Sequence, residues 1–226
     1  MTTLFVVATP IGNLADLSER ARQVLVAVPV VFAEDTRRTG ILLRHLGTRP
    51  RVIAYHRHTS PARLAALLEV LTKSDAALVS DAGTPGVNDP GGLFIARALD
   101  RFGSEVRIVP IPGPSAIIAA ASISGFPMDA FTFFGFPPHK KGRQTFFNTI
   151  AVAEAAVIFY ESPHRIQSAV AELAKRCPTR QGVVCRELTK QFETMYRGNV
   201  ASLAQQIIAE QPRGEYVVVL APLNFQ

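Results

Sequence analysis

Four stretches of this sequence carry residue types that packing alone does not call for: "TPIGN" at 9–13, "DAGTPGVNDPGG" at 81–92, "PIPGPSA" at 110–116 and "YESPHR" at 160–165. Glycine lets a main chain approach a ligand where a Cβ would obstruct it. Turns also use Gly and Pro for backbone geometry, so one such stretch says little. Several at strand ends point to a binding site. The longest holds four glycines, two prolines and two aspartates, and no Lys or Arg. A phosphate-binding P-loop needs GxxxxGK[ST], and a dinucleotide fingerprint needs GxGxxG after the first strand. Here "ATPIGNL" stands in that place.

Asp81 and Asp89 suit a ligand with positive charge better than one with phosphates. An adenosyl group carrying a sulfonium and an amino acid fits that description. Taken singly, Asp81 capping its own turn explains it as well.

The elements that must position these loops alternate along the chain. Apolar runs predict strands at 4–8, 30–33, 51–55, 76–79 and 106–109. Ser18 reads as a helix cap ahead of Ala21, Val24, Leu25 and Val28, at i, i+3, i+4 and i+7. Ser60-Pro61 is a cap and first-turn pair, followed by Leu64, Leu67, Leu68 and Leu71. A further helix is expected at 93–101. Alternation of this kind argues for a parallel sheet with helices on its faces, and loops beyond the carboxyl ends of such strands gather ligands. After a change of character near Phe126-Pro127 the pattern resumes. Strands are expected at 155–160, 182–186, near 192–196 and at 215–220. Helices follow Ser162-Pro163 and span 201–209. The sequence therefore predicts an α/β protein of two α/β domains, 1–115 and 116–226.

Net charge is +6, and its distribution says more. Between Thr36 and Leu68 there are seven arginines, three histidines and no carboxylate; His139, Lys140, Lys141 and Arg143 form a second cluster. Each reads as a solvated face or as the footprint of a polyanion. The two cysteines, Cys177 and Cys185, are separated by seven residues with no His between them, which matches no zinc spacing. No metal is expected. No apolar run is long enough for a membrane span, and "MTTLFVVATP" lacks a signal-peptide pattern, so a cytoplasmic protein is the expectation.

In order, "ATPIGNLADLS", "AEDTRRTG", "LVSDAGTPGVNDPG", "PIPGPSA", "FYESPHR", "RELTK" and "GEYVVVL" resemble the bacterial small-subunit ribosomal RNA 2′-O-ribose cytidine methyltransferases of the tetrapyrrole methylase superfamily. The resemblance covers nearly the whole chain. It implies a two-domain methyltransferase, usually a homodimer, with S-adenosylmethionine in a cleft between the domains and ribosomal RNA as substrate. Cofactor contacts carried over fall on Ile11 beside Gly12, on Ala82, Gly83, Thr84 and Val87, on Ser115 and Ala116, and on Glu161 and Leu188. Tetrapyrrole enzymes commonly have Gly-Asp-Pro where this chain has Gly83-Thr84-Pro85. Asp81 is the candidate to take over the missing acid's role. Relatives also often continue past the last strand.

Methylating a ribose hydroxyl needs in-line attack on the sulfonium methyl and a base for the proton. Candidates at strand ends are Glu161, His164, Glu187, Lys190 and Glu193, with Lys190 ranked above Glu161. Each also reads as a surface ion pair. A lysine acts as base only where burial or a cationic neighbour depresses its pKa; otherwise it steadies an oxyanion or a phosphate. Arg37, Arg38, Arg165, Lys140, Lys141 and Arg143 are expected to meet RNA phosphates, and His164 to stack on a base. The stretch 137–143 closes over RNA or is an ordinary connection. A precorrin-type methyltransferase is the first alternative, a non-catalytic RNA-binding module the second, and a nucleotide-dependent oxidoreductase the third.

Overall fold

The computed structural model describes residues 1–209 and 211–225. The chain divides into two units, Met1–Ser115 and Ala116–Gln226. The first unit runs β1 (Thr2–Val7), α1 (Glu19–Ala27), β2 (Val30–Ala33), α2 (Thr36–His45), β3 (Arg51–Ala54), α3 (Pro61–Leu68), β4 (Ala76–Val79), α4 (Gly91–Phe102) and β5 (Val106–Ile111). Its strands pair in the order β3-β2-β4-β1-β5, all parallel. Every residue of β2 and β4 is buried, as expected of strands covered on both faces. Phe32 and Leu78 face one core with Leu64, Leu67 and Phe94; Val31, Ala33, Ala77 and Val79 face another with Leu25 and Leu42. Because the strands are parallel, the loops after β1, β2, β4 and β5 all leave the same edge.

The helix starts follow local chemistry. Ser18 and Ser60 accept hydrogen bonds from the main-chain N–H groups of Ala21 and Arg63, and Pro61 occupies the first turn of α3. Asp35 caps α2 by accepting from the Arg37 N–H. The expectation of strands with loops between them missed α2: its apolar face is only Leu42, Leu43 and the methyl of Thr39.

The second unit runs α5 (Ala116–Ser124), β6 (Phe131–Phe133), α6 (Arg143–Ala151), β7 (Ala156–Glu161), α7 (Ile166–Ala174), β8 (Gln181–Arg186), β9 (Thr194–Asn199), α8 (Val200–Ile208) and β10 (Tyr216–Leu220). Its order is β6-β7-β10-β8-β9, and only β6 and β7 pair in parallel. A parallel sheet is thus right for the first unit and wrong for the second. The β8–β9 connection is too short for a crossover helix, so it must be a hairpin. Val157 and Phe159 of β7, Val184 of β8, and Tyr216, Val218 and Leu220 of β10 form a core with Phe147, Ile166, Leu173 and Leu203. That face is covered by α6, α7 and α8. The helix α5 packs against β7, β8 and β10 and contributes nothing to that core, so it covers the other face.

Arg180 is buried without a carboxylate, and it donates to the carbonyls of Ile150, Ala153, Ala155 and Ala221. It closes main-chain ends that the helices and strands leave open. Both cysteines are free and buried. Among the described residues no helix is long and apolar enough to cross a membrane, and no cluster of His, Cys, Asp and Glu could hold a metal ion.

Candidate functional site

In the first unit the three expected loops are tied together by hydrogen bonds. Thr9 and Gly83 form an isolated antiparallel bridge, Thr9 N–H to Gly83 O at 2.9 Å and Gly83 N–H to Thr9 O at 3.0 Å. The Thr84 hydroxyl donates to the Pro114 carbonyl at 3.2 Å, and Ser18 Oγ donates to the Pro112 carbonyl at 3.3 Å. Gly83 has φ +79°, in the left-handed region that disfavours a Cβ, and a Cβ there would contact Ile11 and the Pro114 carbonyl. Ile11, Gly83, Thr84 and the segment before Ser115 are therefore neighbours. Gly12, Ala82 and Val87 are exposed around them. The Thr9 hydroxyl is buried and has no hydrogen-bond partner.

Asp89 is committed to its own loop, whereas Asp81 reaches across to the loop after β2 instead of capping its own turn. Asp81 accepts from the Asp35 N–H at 2.8 Å; Asp89 accepts from the N–H groups of Gly86 and Gly91 at 2.9 and 2.7 Å. They still charge the strand ends. Glu34, directly after β2, has its carboxyl pushed up by burial and then by Asp81 and Asp89, against the pull of His56 and Arg57. Sequence reasoning passed over Glu34. Its signal was its place one residue beyond a fully buried strand, beside the strand that leads to Asp81. Two hollows of about 480 and 430 Å³ also open on this unit. They are lined by Pro29 and Asp75, and by Met1 and Glu105, at the amino ends of the strands and away from these loops.

In the second unit, Glu161 ends β7 with its side chain fully buried. Arg165 contacts it at 2.9 Å and Arg143 at 3.6 Å, and its own neighbour Ser162 donates a main-chain N–H at 2.7 Å. Arg165 also donates to the Pro137 carbonyl at 3.1 Å; Arg143 donates to Ser168 and lies over the Phe147 ring. These observations bear on two expectations. Arg143 and Arg165 are spent on a buried carboxylate and on carbonyls, so neither presents a free guanidinium to a phosphate. Glu161 is their counter-ion: Arg165 meets its Oε1, while its Oε2, 3.6 Å from Arg143, is buried without a hydrogen-bond partner. Ser162 does not cap α7, which begins after Arg165.

Lys190 lies in another setting. Its Nζ is 2.8 Å from Glu187 and 2.9 Å from Glu215. Burial alone would lower its pKa, but the hydrogen bonds to these two carboxylates outweigh it and leave the pKa raised. Lys190 is therefore a cation; of the two roles expected of it, its partners oppose the general base and favour the stabiliser of developing charge. The turn that holds it is strained: Glu187 and Thr189 have φ of +53° and +66°. Leu188 between them is buried, Thr189 N–H donates to Glu193 at 2.6 Å, and Glu215 N–H donates to Glu187 at 2.9 Å. A Cβ on Gly214 would collide with the Glu187 side chain, so that glycine makes room for the pair.

Arg37 is exposed and paired with Asp35 at 2.9 Å. Arg38, Lys140, Lys141 and His164 are exposed. The expected phosphate-binding set thus reduces to Arg37, Arg38, Lys140 and Lys141.

Residues 3–204 match the family of Tetrapyrrole (Corrin/Porphyrin) Methylases. The chain belongs to that family. Among curated tetrapyrrole methylase relatives, "Ribosomal RNA small subunit methyltransferase I" of Mesorhizobium japonicum is 43% identical over 97% of this chain and 75% of its own length. The protein of the same name from Escherichia coli O157:H7 is 42% identical over 96% of this chain and 77% of its own length. Among solved structures, diphthine synthase superposes with a TM-score of 0.73 at 16% identity, over 97% of this chain and 90% of its own. The uroporphyrin-III C-methyltransferase of Thermus thermophilus complexed with S-adenyl homocysteine gives 0.66 at 18%, over 98% and 97%. These last two carry the tetrapyrrole methylase fold.

Proposed function

We propose that this chain transfers a methyl group from S-adenosylmethionine to the ribose 2′-hydroxyl of a cytidine in small-subunit ribosomal RNA, as a cytoplasmic homodimer. The observation that carries the cofactor is the Thr9–Gly83 bridge, which brings a left-handed glycine and a partnerless buried hydroxyl together beside an acidic strand end. The residues fit S-adenosylmethionine: close main chain at 11–12 and 82–84 suits an adenosine, and carboxylates at 34 and 81 suit positive charge. The RNA substrate is supported by the name its relatives share and by the exposed cations Arg38, Lys140 and Lys141.

Bound there, S-adenosylmethionine supplies a methyl group that is already activated. The chain's part is alignment, exclusion of water and charge control. Lys190, held cationic by two carboxylates, steadies the negative charge that develops on the ribose oxygen. We assign acceptance of the proton to Glu215, which is exposed and lies 2.9 Å from Lys190. Glu161 with Arg143 and Arg165 holds the end of β7.

The test is transfer of labelled methyl to small ribosomal subunits lacking the modification, with the product mapped by mass. A cytidine carrying the label on its ribose is expected; a labelled base, or transfer to a precorrin in place of RNA, would overturn the reading. Calorimetry should show S-adenosylmethionine binding near the micromolar range, about −8 kcal/mol, and far weaker binding of ATP. Charge removal at Arg37 and Arg38, or at Lys140 and Lys141, should weaken RNA binding and flatten its salt dependence.

A further inference from the structure

Beside the Lys190 turn is a group of rings that the proposed chemistry does not use. Along β7 the alternation of side chains sends Val157, Phe159 and Glu161 to the face under α7, and Tyr160 to the opposite face. There the Tyr160 ring meets Phe133 at 5.0 Å between centroids and Phe136 at 5.4 Å, both tilted or edge-on. The Tyr160 phenol also senses Glu215, the carboxylate that holds Lys190. Phe136 is 48% exposed.

A single exposed phenylalanine is ordinary. This one sits on fixed main chain. The Gly135 carbonyl accepts from the Tyr160 N–H at 2.9 Å, and the Pro137 carbonyl accepts from Arg165 at 3.1 Å. The ring is thus held in water by hydrogen bonds on both sides of it, and one of them comes from the arginine that also pairs with Glu161. Three exposed side chains, His139, Lys140 and Lys141, follow within five residues and bring positive charge to the same segment. Rings that a flat apolar group can stack on, next to cations, are what single-stranded nucleic acid requires.

We propose that Phe136 and Tyr160 form a stacking platform for an unpaired pyrimidine base of single-stranded RNA, holding its nucleotide at the Lys190 end of the sheet. The platform deepens the ribosomal RNA reading and rests on it. Base stacking on an aromatic side chain is sequence-tolerant, so the platform positions a nucleotide and leaves the choice of base to other contacts. Phe133 buttresses Tyr160, and Arg165 acts as a positioning residue for Phe136 through the Pro137 carbonyl.

The chain contains no tryptophan, so Phe136→Trp creates a single fluorescent reporter on the platform. Its emission should be quenched by a short single-stranded oligocytidylate and unchanged by the same backbone with abasic nucleotides. Phe136→Ala should weaken oligocytidylate binding by about tenfold or more. Its melting temperature, S-adenosylmethionine affinity and salt slope should stay at wild-type values, because no charge is lost. Phe136→Tyr should restore binding and Phe136→Leu should not. Equal affinity in wild type and Phe136→Ala, or equal quenching by abasic RNA, would overturn the platform. So would loss of a homodimer in Phe136→Ala, which would assign the ring to a subunit contact. If wild type methylates ribosomal RNA and Phe136→Ala does so equally well, the platform falls and the ribosomal RNA reading stands. If wild type neither binds RNA nor methylates it, both fall.

Discussion

Glu161 and Lys190 stand on opposite faces of one five-stranded sheet. Glu161 pairs across the ladder with Tyr216, whose side chain belongs to the core under α7 and α8. Lys190 bonds to Glu215, the residue before Tyr216, which alternation turns to the Tyr160 side. Two residues that look equivalent in sequence, each charged and each at or beyond the end of a strand, therefore have separate tasks. One closes a buried ion pair; the other presents a cation to the strand ends.

Replacing Glu161 should register as instability. Glu161→Gln leaves Arg143 and Arg165 without their carboxylate in a place where Glu161 has no exposed side-chain surface. Breaking such a pair from one side costs about 3 kcal/mol or more. Chemical denaturation should show that loss, with methyl transfer per folded molecule close to wild type. A variant of wild-type stability that transfers no methyl would return Glu161 to the chemistry.

Lys190→Ala should lower the single-turnover methyl-transfer rate by about a hundredfold, leaving S-adenosylmethionine affinity unchanged. The pH dependence follows from the raised pKa. Lys190 acts as a cation, so its contribution is lost as pH rises through its folded-state pKa, which Glu187 and Glu215 hold above the ordinary lysine value. Glu187→Gln removes one of those carboxylates and should move the alkaline fall in rate to lower pH. A pH–rate profile that does not move would detach Glu187 from Lys190's charge.

Gly83→Val should abolish cofactor binding. At φ +79° a side chain costs about 1–2 kcal/mol. The Cβ would meet Ile11 at 3.5 Å and the Pro114 carbonyl at 3.6 Å, and the further branches have less room still. Relief must come from the Thr9 bridge and hence from the loops it joins. Calorimetry and a thermal melt together decide the matter: cooperative melting near wild type with normal S-adenosylmethionine binding would show that these loops do not hold it.

The two cysteines report on the second unit's integrity. Burial pushes the Cys185 thiol up to about 11 and raises that of Cys177. Neither supplies thiolate near neutral pH in the folded state, whereas an unfolded chain has ordinary thiols of pKa about 8.5. A thiol reagent at about pH 8 should react with neither cysteine until the unit opens, then with both. Fast reaction of either in the native protein would contradict the burial.

Strands whose every residue is apolar were legible from sequence: Val30–Ala33 and Ala76–Val79 stand as expected, because continuous burial leaves no other pattern. Three helices were not. The stretch Thr36–His45 opens on charges and holds Gly40; Ala116–Ser124 is apolar nearly all round, so it has no period to read; Arg143–Ala151 follows a left-handed Gly142 with no side-chain cap. The glycine-rich loops were legible as a candidate site because their residue types are unusual. The fate of Arg143 and Arg165 was not. A guanidinium bound for a phosphate and one bound for a buried Glu161 look the same until the partner, many residues away, is in place.

The place of β10 bears on how the chain can be made. In the first unit the final strand, β5, is an edge strand, so the other four can pair before it leaves the ribosome. In the second unit the final strand lies in the middle, between β7 and β8. Until Tyr216–Leu220 have been synthesised, that unit is two partial sheets with open edges. Arg180 likewise waits for Ala221 to complete its set of carbonyls. The first unit can fold while the chain is still growing. The second must hold unpaired β7 and β8 edges until β10 has emerged, an interval in which a nascent chain is exposed to aggregation and in need of a chaperone.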